Sequence, residues 1–201
     1  MHETDTSQPL RIMVASSVYG FQTELEQLCA MLDAYGYTVW NSHLGTIQAH
    51  PGKSNLDICL DAVRQCDLFL GIIRPVYGSG IIGPRSITHE EMRLAVSLNK
   101  PRWFLVHDHV TFTRQLLRPY MKLKDGKPRK KPFRFQRTKV FDDLRVLDMY
   151  DDMTQADVPV DKRTGHWVQE FHKLAEAMTY LQTQFANRER IRQVVEEMRA
   201  P

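Results

Sequence analysis

Cysteine is scarce in this chain: Cys29, Cys59 and Cys66 are the three among 201 residues. They form no C-x-x-C pair, which excludes a disulfide framework and a paired-cysteine zinc site. The odd count points to a reducing, cytoplasmic setting. Long apolar runs are lacking too. No stretch approaches the roughly 18 apolar residues that a membrane-spanning helix needs. The first nine residues are polar, without the apolar core of a secretory signal, so no membrane association is expected. Charge of one sign is not in excess: Lys+Arg 27 against Asp+Glu 24 leaves a formal net charge of +3, too small by itself to imply nucleic acid. Gly78, Gly80 and Gly83 match neither G-x-G-x-x-G nor a Walker loop. The aspartates between Asp142 and Asp161 lack the glycine-containing pattern of a calcium loop. What remains is a globular chain of ordinary composition, long enough for one domain with an appendage.

What is present is alternation of strand and helix. After a loose tail over residues 1–9, Leu10 to Ala15 reads as a strand that stops at Ser16-Ser17-Val18-Tyr19-Gly20. A helix follows to about Tyr35, with Leu25, Leu28, Cys29 and Leu32 on one face. Gly36 ends it, and Tyr37 to Trp40 is a second strand. Ser54 or Asn55 caps a helix to about Gln65, with Leu56, Cys59, Leu60 and Val63 inward. Asp67 to Ile73 is almost continuously apolar, the mark of a strand buried on both faces of a parallel sheet. A long loop from Arg74 to Arg85 leads to the helix Thr88–Asn99, and Arg102 to His107 is a fourth strand. Four such alternations predict an α/β fold, a flavodoxin-like parallel sheet of order 2-1-3-4-5.

Ligands of such folds bind at the carboxyl ends of strands 1 and 3. Three segments converge there: Ser16 to Gly20, Arg74 to Arg85, and the start of the helix carrying Glu91. Trp40 and Asn41 are placed along one side. Glu91 shares a face with Leu94, Ala95 and Leu98, so it is aimed inward, while Glu90 lies about 100° round the helix. An alternative reading has Glu91 completing a capping box with Thr88, three residues earlier.

The second half is less regular. Thr113 to Met121 reads as a short helix, and Arg145 to Tyr150 as the fifth strand. Between them the segment 122–139 carries nine Lys/Arg against Asp125 alone, interleaved with Phe133 and Phe135. That pattern would suit a nucleic-acid strand. A solvated excursion, neutralised by the aspartates downstream, is the reading favoured. His107-Asp108-His109 invites a metal, but neighbours on a strand point to opposite faces, so no metal is expected. Residues 10–160 are thus assigned to the α/β domain and 161–201 to a helical extension. There Trp167, Phe171, Leu174, Met178, Leu181 and Phe185 repeat at 4-3-4-3-4 spacing, a seam expected to bind a second copy or a protein partner.

Ile12 to Gly20, Cys66 to Ile73, Tyr77-Gly78, and Thr88-His89-Glu90-Glu91 running to Asn99-Lys100-Pro101 resemble a bacterial TIR-like domain family of unassigned function. That family is often found beside or fused to signalling ATPases and defence proteins. It is related in fold to TIR domains and nucleoside 2-deoxyribosyltransferases. The resemblance covers roughly Arg11 to Val106. Thr88, Glu91, Lys100 and Pro101 fit the transferase pattern D-x-G-T-x-x-E…G-K-P, whereas Arg85 stands at its Asp and Ile87 at its Gly. TIR enzymes tend to carry Trp-Cys just before the Glu, and here Ile87-Thr88 precedes it.

The resemblance implies that Glu91 is catalytic in cleaving an N-glycosidic bond, with NAD or a related nucleotide as substrate rather than cofactor, in a setting of antiviral signalling. A fixed carboxylate stabilises or traps the oxocarbenium-like sugar of such a reaction. A helix N-terminus would favour the ionised form. Ser16, Ser17, Tyr77, Gly78 and Thr88 would line the site, with Arg74 or Arg85 for phosphates and Tyr19 or Trp40 to stack on a base. The alternative, from another class, is a non-catalytic nucleotide-sensing or adaptor module that oligomerises or recruits a partner ATPase.

Overall fold

Six residues without a polar side chain, Leu68–Ile73, lie at the centre of the sheet with every one of them buried. The computed structural model, which describes residues 8–78, 80–121 and 133–200, builds the rest around them. In chain order these are β1 (Arg11–Ser16), α1 (Gln22–Ala34), β2 (Thr38–Trp40), α2 (Asn55–Gln65) and the central strand, β3. A small hairpin of β4 (Ile81–Ile82) and β5 (Arg85–Ser86) leads into α3 (Ile87–Ser97) and β6 (Arg102–His107). Then come α4 (Asp108–Met121), α5 (Arg145–Met153), β7 (Val168–Phe171), α6 (Leu174–Phe185) and α7 (Arg188–Arg199).

The sheet runs β2-β1-β3-β6-β7, and every neighbouring pair in it is parallel. With the hairpin set aside this is the flavodoxin-like order 2-1-3-4-5. Its centre tolerates no side chain at Gly71, where a Cβ would lie 2.6 Å from the Phe104 ring on β6. One face of the sheet packs on α1, α6 and α7, through Leu25, Leu28, Leu181, Phe185 and Ile191. The other packs on α2, α3 and α5, through Val63, Met92, Ala95, Val146 and Met149.

Several expectations are corrected. The segment Arg145–Tyr150 is helix, not the fifth strand. Val146, Leu147, Met149 and Met153 are its buried residues, and that spacing gathers on one helical face where a strand would bury alternate positions. The fifth position belongs instead to Val168–Phe171, an edge strand half open to solvent. Thus the first two residues of the supposed seam, Trp167 and Phe171, are not helical at all. Trp167 is 72% exposed, whereas Phe171, Leu181 and Phe185 are buried in the chain's own core. Tyr37 donates its hydroxyl to the Phe185 carbonyl at 2.9 Å, fixing the end of α6 against the sheet.

The helix after β6 starts at Asp108, five residues earlier than expected. The junction therefore falls inside His107-Asp108-His109, and strand alternation no longer separates those side chains. On α3, Leu98 is 45% exposed and lies outside the packed face. No helix among the described residues is long and apolar enough to cross a membrane. Residues 122–132, the denser part of the basic run, lie outside the described residues, as do residues 1–7 of the tail.

Candidate active site

The crevice forms where β1 and β3 end, and each of its walls has a local cause. After β1 the chain leaves the sheet at Ser16 and Ser17, both buried. Ser16 donates its hydroxyl to the Ser17 carbonyl at 3.0 Å, whereas the Ser17 hydroxyl is buried with no hydrogen-bond partner among the described residues. Arg74, the first residue after β3, secures this loop. Its guanidinium donates to the carbonyls of Ser17 and Tyr19 at 3.0 Å and of Gly20 at 3.3 Å. It also lies over the Phe21 ring, 4.4 Å from the centroid. Burial pulls its pKa down to about 10. Arg74 is therefore a loop clamp and does not line the crevice.

The second wall rests on Tyr77. Its backbone N–H donates to Asp142 at 2.8 Å, and its hydroxyl accepts the Ser86 N–H at 3.3 Å. The hydroxyl lies 2.7 Å from His89 Nδ1, while His89 Nε2 lies 3.0 Å from Asp152, which Arg93 also holds at 2.5 Å. A proton on Nε2 satisfies the whole chain: Tyr77 donates to Nδ1 and Nε2 donates to the carboxylate. His89, 1% exposed, thus ties the floor loop to α3 and α5. Gly78 follows with φ +96°, a left-handed turn in which a side chain would be strained.

The cap of α3 differs from expectation. Ser86 is the N-cap, and its hydroxyl accepts the His89 N–H at 3.2 Å. Glu91 consequently sits in the second turn and takes no part in a capping box. It is 3% exposed and lines the crevice. Cys59, on α2, hydrogen-bonds to its carboxylate. Burial pushes the Glu91 pKa up to about 7, against the smaller lowering from Cys59. The expectation that the helix end keeps this group ionised is corrected, because the dipole acts mainly within the first turn. Cys59 is itself pushed up to about 12 by burial and by Glu91.

The crevice encloses about 980 Å³, at the upper end of what holds a small organic ligand. Of the residues singled out from sequence, it brings together Ser16, Ser17, Tyr19, Tyr77, Gly78, Thr88 and Glu91. Besides Arg74, three more are elsewhere. Arg85 pairs with Glu90 at 3.3 Å, so Glu90 faces away from the crevice as expected. Trp40 lies beneath the Arg11 guanidinium, 5.4 Å from its ring centroid, in a separate depression. Asn41 turns inward to donate to the Val14 carbonyl at 2.9 Å, and the following loop, through Ser42 and Ile47, lines the wall instead.

Sequence reasoning missed Cys59, Asp142, Asp143 and Arg137 as lining residues. Arg137 is an exposed cation of the basic run, here at the crevice mouth. Arg145 engages Asp143 through two nitrogens, and Asp142 accepts the Tyr77 N–H. Helical spacing puts Cys59 on the inward face of α2, but nothing in the linear pattern says which neighbour it meets.

A family profile described as "Domain of unknown function (DUF4062)" matches residues 11–199. Among curated proteins none matches. Two solved structures are similar in fold. A CMP N-glycosidase of Clostridium botulinum, BcmB, is 16% identical, with 86% of this chain and 98% of that chain covered at a TM-score of 0.41. A 2-desoxiribosyltransferase from Leishmania mexicana is 18% identical, with 72% and 97% covered at a TM-score of 0.39.

Proposed function

This chain belongs to the DUF4062 family, a domain of unknown function, and from that premise we propose that it is a nucleotide N-glycosidase or N-glycosyltransferase acting through Glu91. One observation carries the reading. A carboxyl group is buried to 3% exposure on the wall of a large crevice. Among the described residues its partner is a thiol, and no ion pair neutralises it. Natural sequences rarely bury such a group without a task for it.

Cleavage breaks the bond between C1′ of the sugar and the base nitrogen, and the electron pair leaves with the base. Positive charge then develops at C1′. The Glu91 carboxylate, itself 3% exposed, faces that charge where burial makes the attraction stronger than in bulk solvent. It either stabilises the cation or traps it as a glycosyl ester. Water or an acceptor hydroxyl then takes the sugar, and its proton restores the base. The unpartnered Ser17 hydroxyl, turned from its buried rotamer into the crevice, supplies a hydrogen bond to the sugar. Tyr19, 79% exposed at the rim, offers a face for the base, and Arg137 offers a cation for a phosphate. NAD or a related nucleotide, as substrate, suits a crevice of this size.

The test is incubation of the purified protein with NAD, nucleotides and nucleosides, followed by chromatography for free base. Base release that Glu91→Gln abolishes and Glu90→Gln preserves supports the assignment. Equal release by both variants removes Glu91 from the reaction. Binding in the crevice without release from any substrate replaces the enzyme with a nucleotide-sensing module.

A further inference from the structure

The junction of β6 and α4 gathers four side chains that the crevice does not use. His107 closes β6, and Asp108 and His109 open α4. His172 follows β7, whose Phe171 is the register partner of His107 in the parallel pair. Two neighbouring strands thus end at one point, β6 with His107 and β7 one residue before His172. Asp108 Oδ1 is 2.8 Å from His107 Nδ1 and 4.0 Å from His109 Nε2, and Oδ2 is 2.9 Å from His172 Nδ1. One ligand atom each from His107, Asp108 and His109 lies within 4.8 Å of the others. The ring centroids of His107 and His109 are 4.5 Å apart, and His172 stands 5.9 and 6.1 Å from them.

One contact here is left unsatisfied. The Asp108 Oδ1 atom is shielded from solvent and has no hydrogen-bond partner among the described residues. The nitrogen facing it, His107 Nδ1, already accepts the backbone N–H of His109 at 3.2 Å. The carboxylate oxygen and the ring nitrogen thus lie 2.8 Å apart with no hydrogen bond between them, a contact that a bound cation would satisfy.

We propose that His107, Asp108, His109 and His172 form a binding site for a divalent transition-metal ion of the zinc class. Three imidazoles and one carboxylate are the borderline donors that such ions favour over magnesium or calcium. Zinc bonds of about 2.0–2.2 Å place tetrahedral ligand atoms about 3.3 Å apart, and the Asp108 separations above bracket that value. The four side chains remain 21–56% exposed, so an ion reaches the cluster from solvent, and the shielded Asp108 Oδ1 turns toward it on binding. Three ligand atoms are already grouped, and His172, 2.9 Å from the second Asp108 oxygen, is the side chain placed to swing in as the fourth and close a structural site. Its place in the fold gives it a task. The edge strand β7 has one neighbour in the sheet, and the ion ties the end of that strand to the adjoining β6–α4 junction.

The experiment uses the full chain, stripped with chelator and desalted, with Zn²⁺ alone or Co²⁺ alone as probe. One equivalent of zinc is expected to remain after desalting, and cobalt is expected to give the intense visible absorption of tetrahedral coordination. Zinc should also raise the melting temperature. The double variant His109→Ala/His172→Ala changes two half-exposed side chains and is expected to keep its circular dichroism while losing both uptake and the thermal shift. Asp108→Asn should weaken uptake at least about tenfold. His43→Ala/His50→Ala, elsewhere on the surface, should leave it unchanged. No stoichiometric uptake by the unaltered chain overturns the proposal and leaves a proton-bridged cluster only. Uptake that persists in the double variant overturns it equally.

Discussion

The Cys59 thiol on α2 hydrogen-bonds to the Glu91 carboxylate on α3, so the group most suited to chemistry in this crevice is held by a weak, uncharged donor. A guanidinium in that place would fix the carboxylate as an anion. A thiol leaves it poised near neutrality, and its pKa is pushed up to about 7 because burial outweighs the hydrogen bond.

That poise has a stability cost with a definite sign. The folded protein holds the Glu91 proton more tightly than the unfolded chain, whose glutamates titrate near 4.5. The contribution is fully favourable below pH 4.5 and is lost as pH rises to about 7. Across that window the wild type should lose on the order of 3 kcal/mol relative to Glu91→Gln, which has no such proton to release. Urea unfolding of both proteins from about pH 4.5 to about pH 8 measures it. The variant should gain on the wild type through the window and run parallel above it. Parallel curves throughout would mean that Glu91 is not buried as described.

The cap of α3 separates two hydroxyl residues that are alike on paper. Ser86 accepts the His89 N–H, and Thr88, two residues on, sits within the first turn. Ser86→Ala should therefore cost about 1 kcal/mol, more if the buried network through Tyr77 is disturbed. Thr88→Ala should fall within about 0.5 kcal/mol of wild type. Thermal unfolding of the two variants decides between the observed cap and the one read from the sequence.

Why the sequence misleads at that point has a physical basis. Serine and threonine are nearly equal caps, and either start gives the same inward face for Glu91, so periodicity finds the carboxylate while missing the boundary. The strands are legible where they are buried on both faces, as at Leu68–Ile73, because a short unbroken apolar run between turn residues suits a central parallel strand. The edge strand Val168–Phe171 carries only two apolar residues. Before it in the chain, the six residues Arg145–Tyr150 carry four (Val146, Leu147, Met149 and Tyr150), yet they fold as helix. In short segments composition says little, and the strand position goes to the residues that the preceding chain delivers to the sheet edge. Likewise Arg74 and Arg85 are cations in the right loop, but nothing linear shows that carbonyls and Glu90 take them first.

The C-terminal stripe is a core element, and its variants should behave as such. Leu181 is fully buried between α6 and the sheet, so Leu181→Ala should destabilise by about 2–5 kcal/mol. Trp167→Ala, at a side chain 72% exposed, should change stability by no more than about 0.5 kcal/mol. Denaturant midpoints report both. A small effect at Leu181 would return the stripe to the role of an intermolecular seam.

The hydrogen bond between Cys59 and Glu91 also makes the pH dependence of the proposed reaction adjustable. If the ionised carboxylate faces the developing sugar cation, kcat/KM should rise with pH through about 7 and level off above it. Removing the thiol with Cys59→Ala deletes the one interaction that lowers the Glu91 pKa, so the rising limb should move to higher pH. Cys59→Ser keeps a donor of similar size and a stronger hydrogen bond, and should move the limb the other way. The plateau rate should change little in either variant, because above the limb the carboxylate is ionised with or without the Cys59 hydrogen bond. A limb that stays in place in both variants would show that another group titrates in the rate. A plateau that falls while the limb holds would show that Cys59 positions the carboxylate rather than tuning its charge.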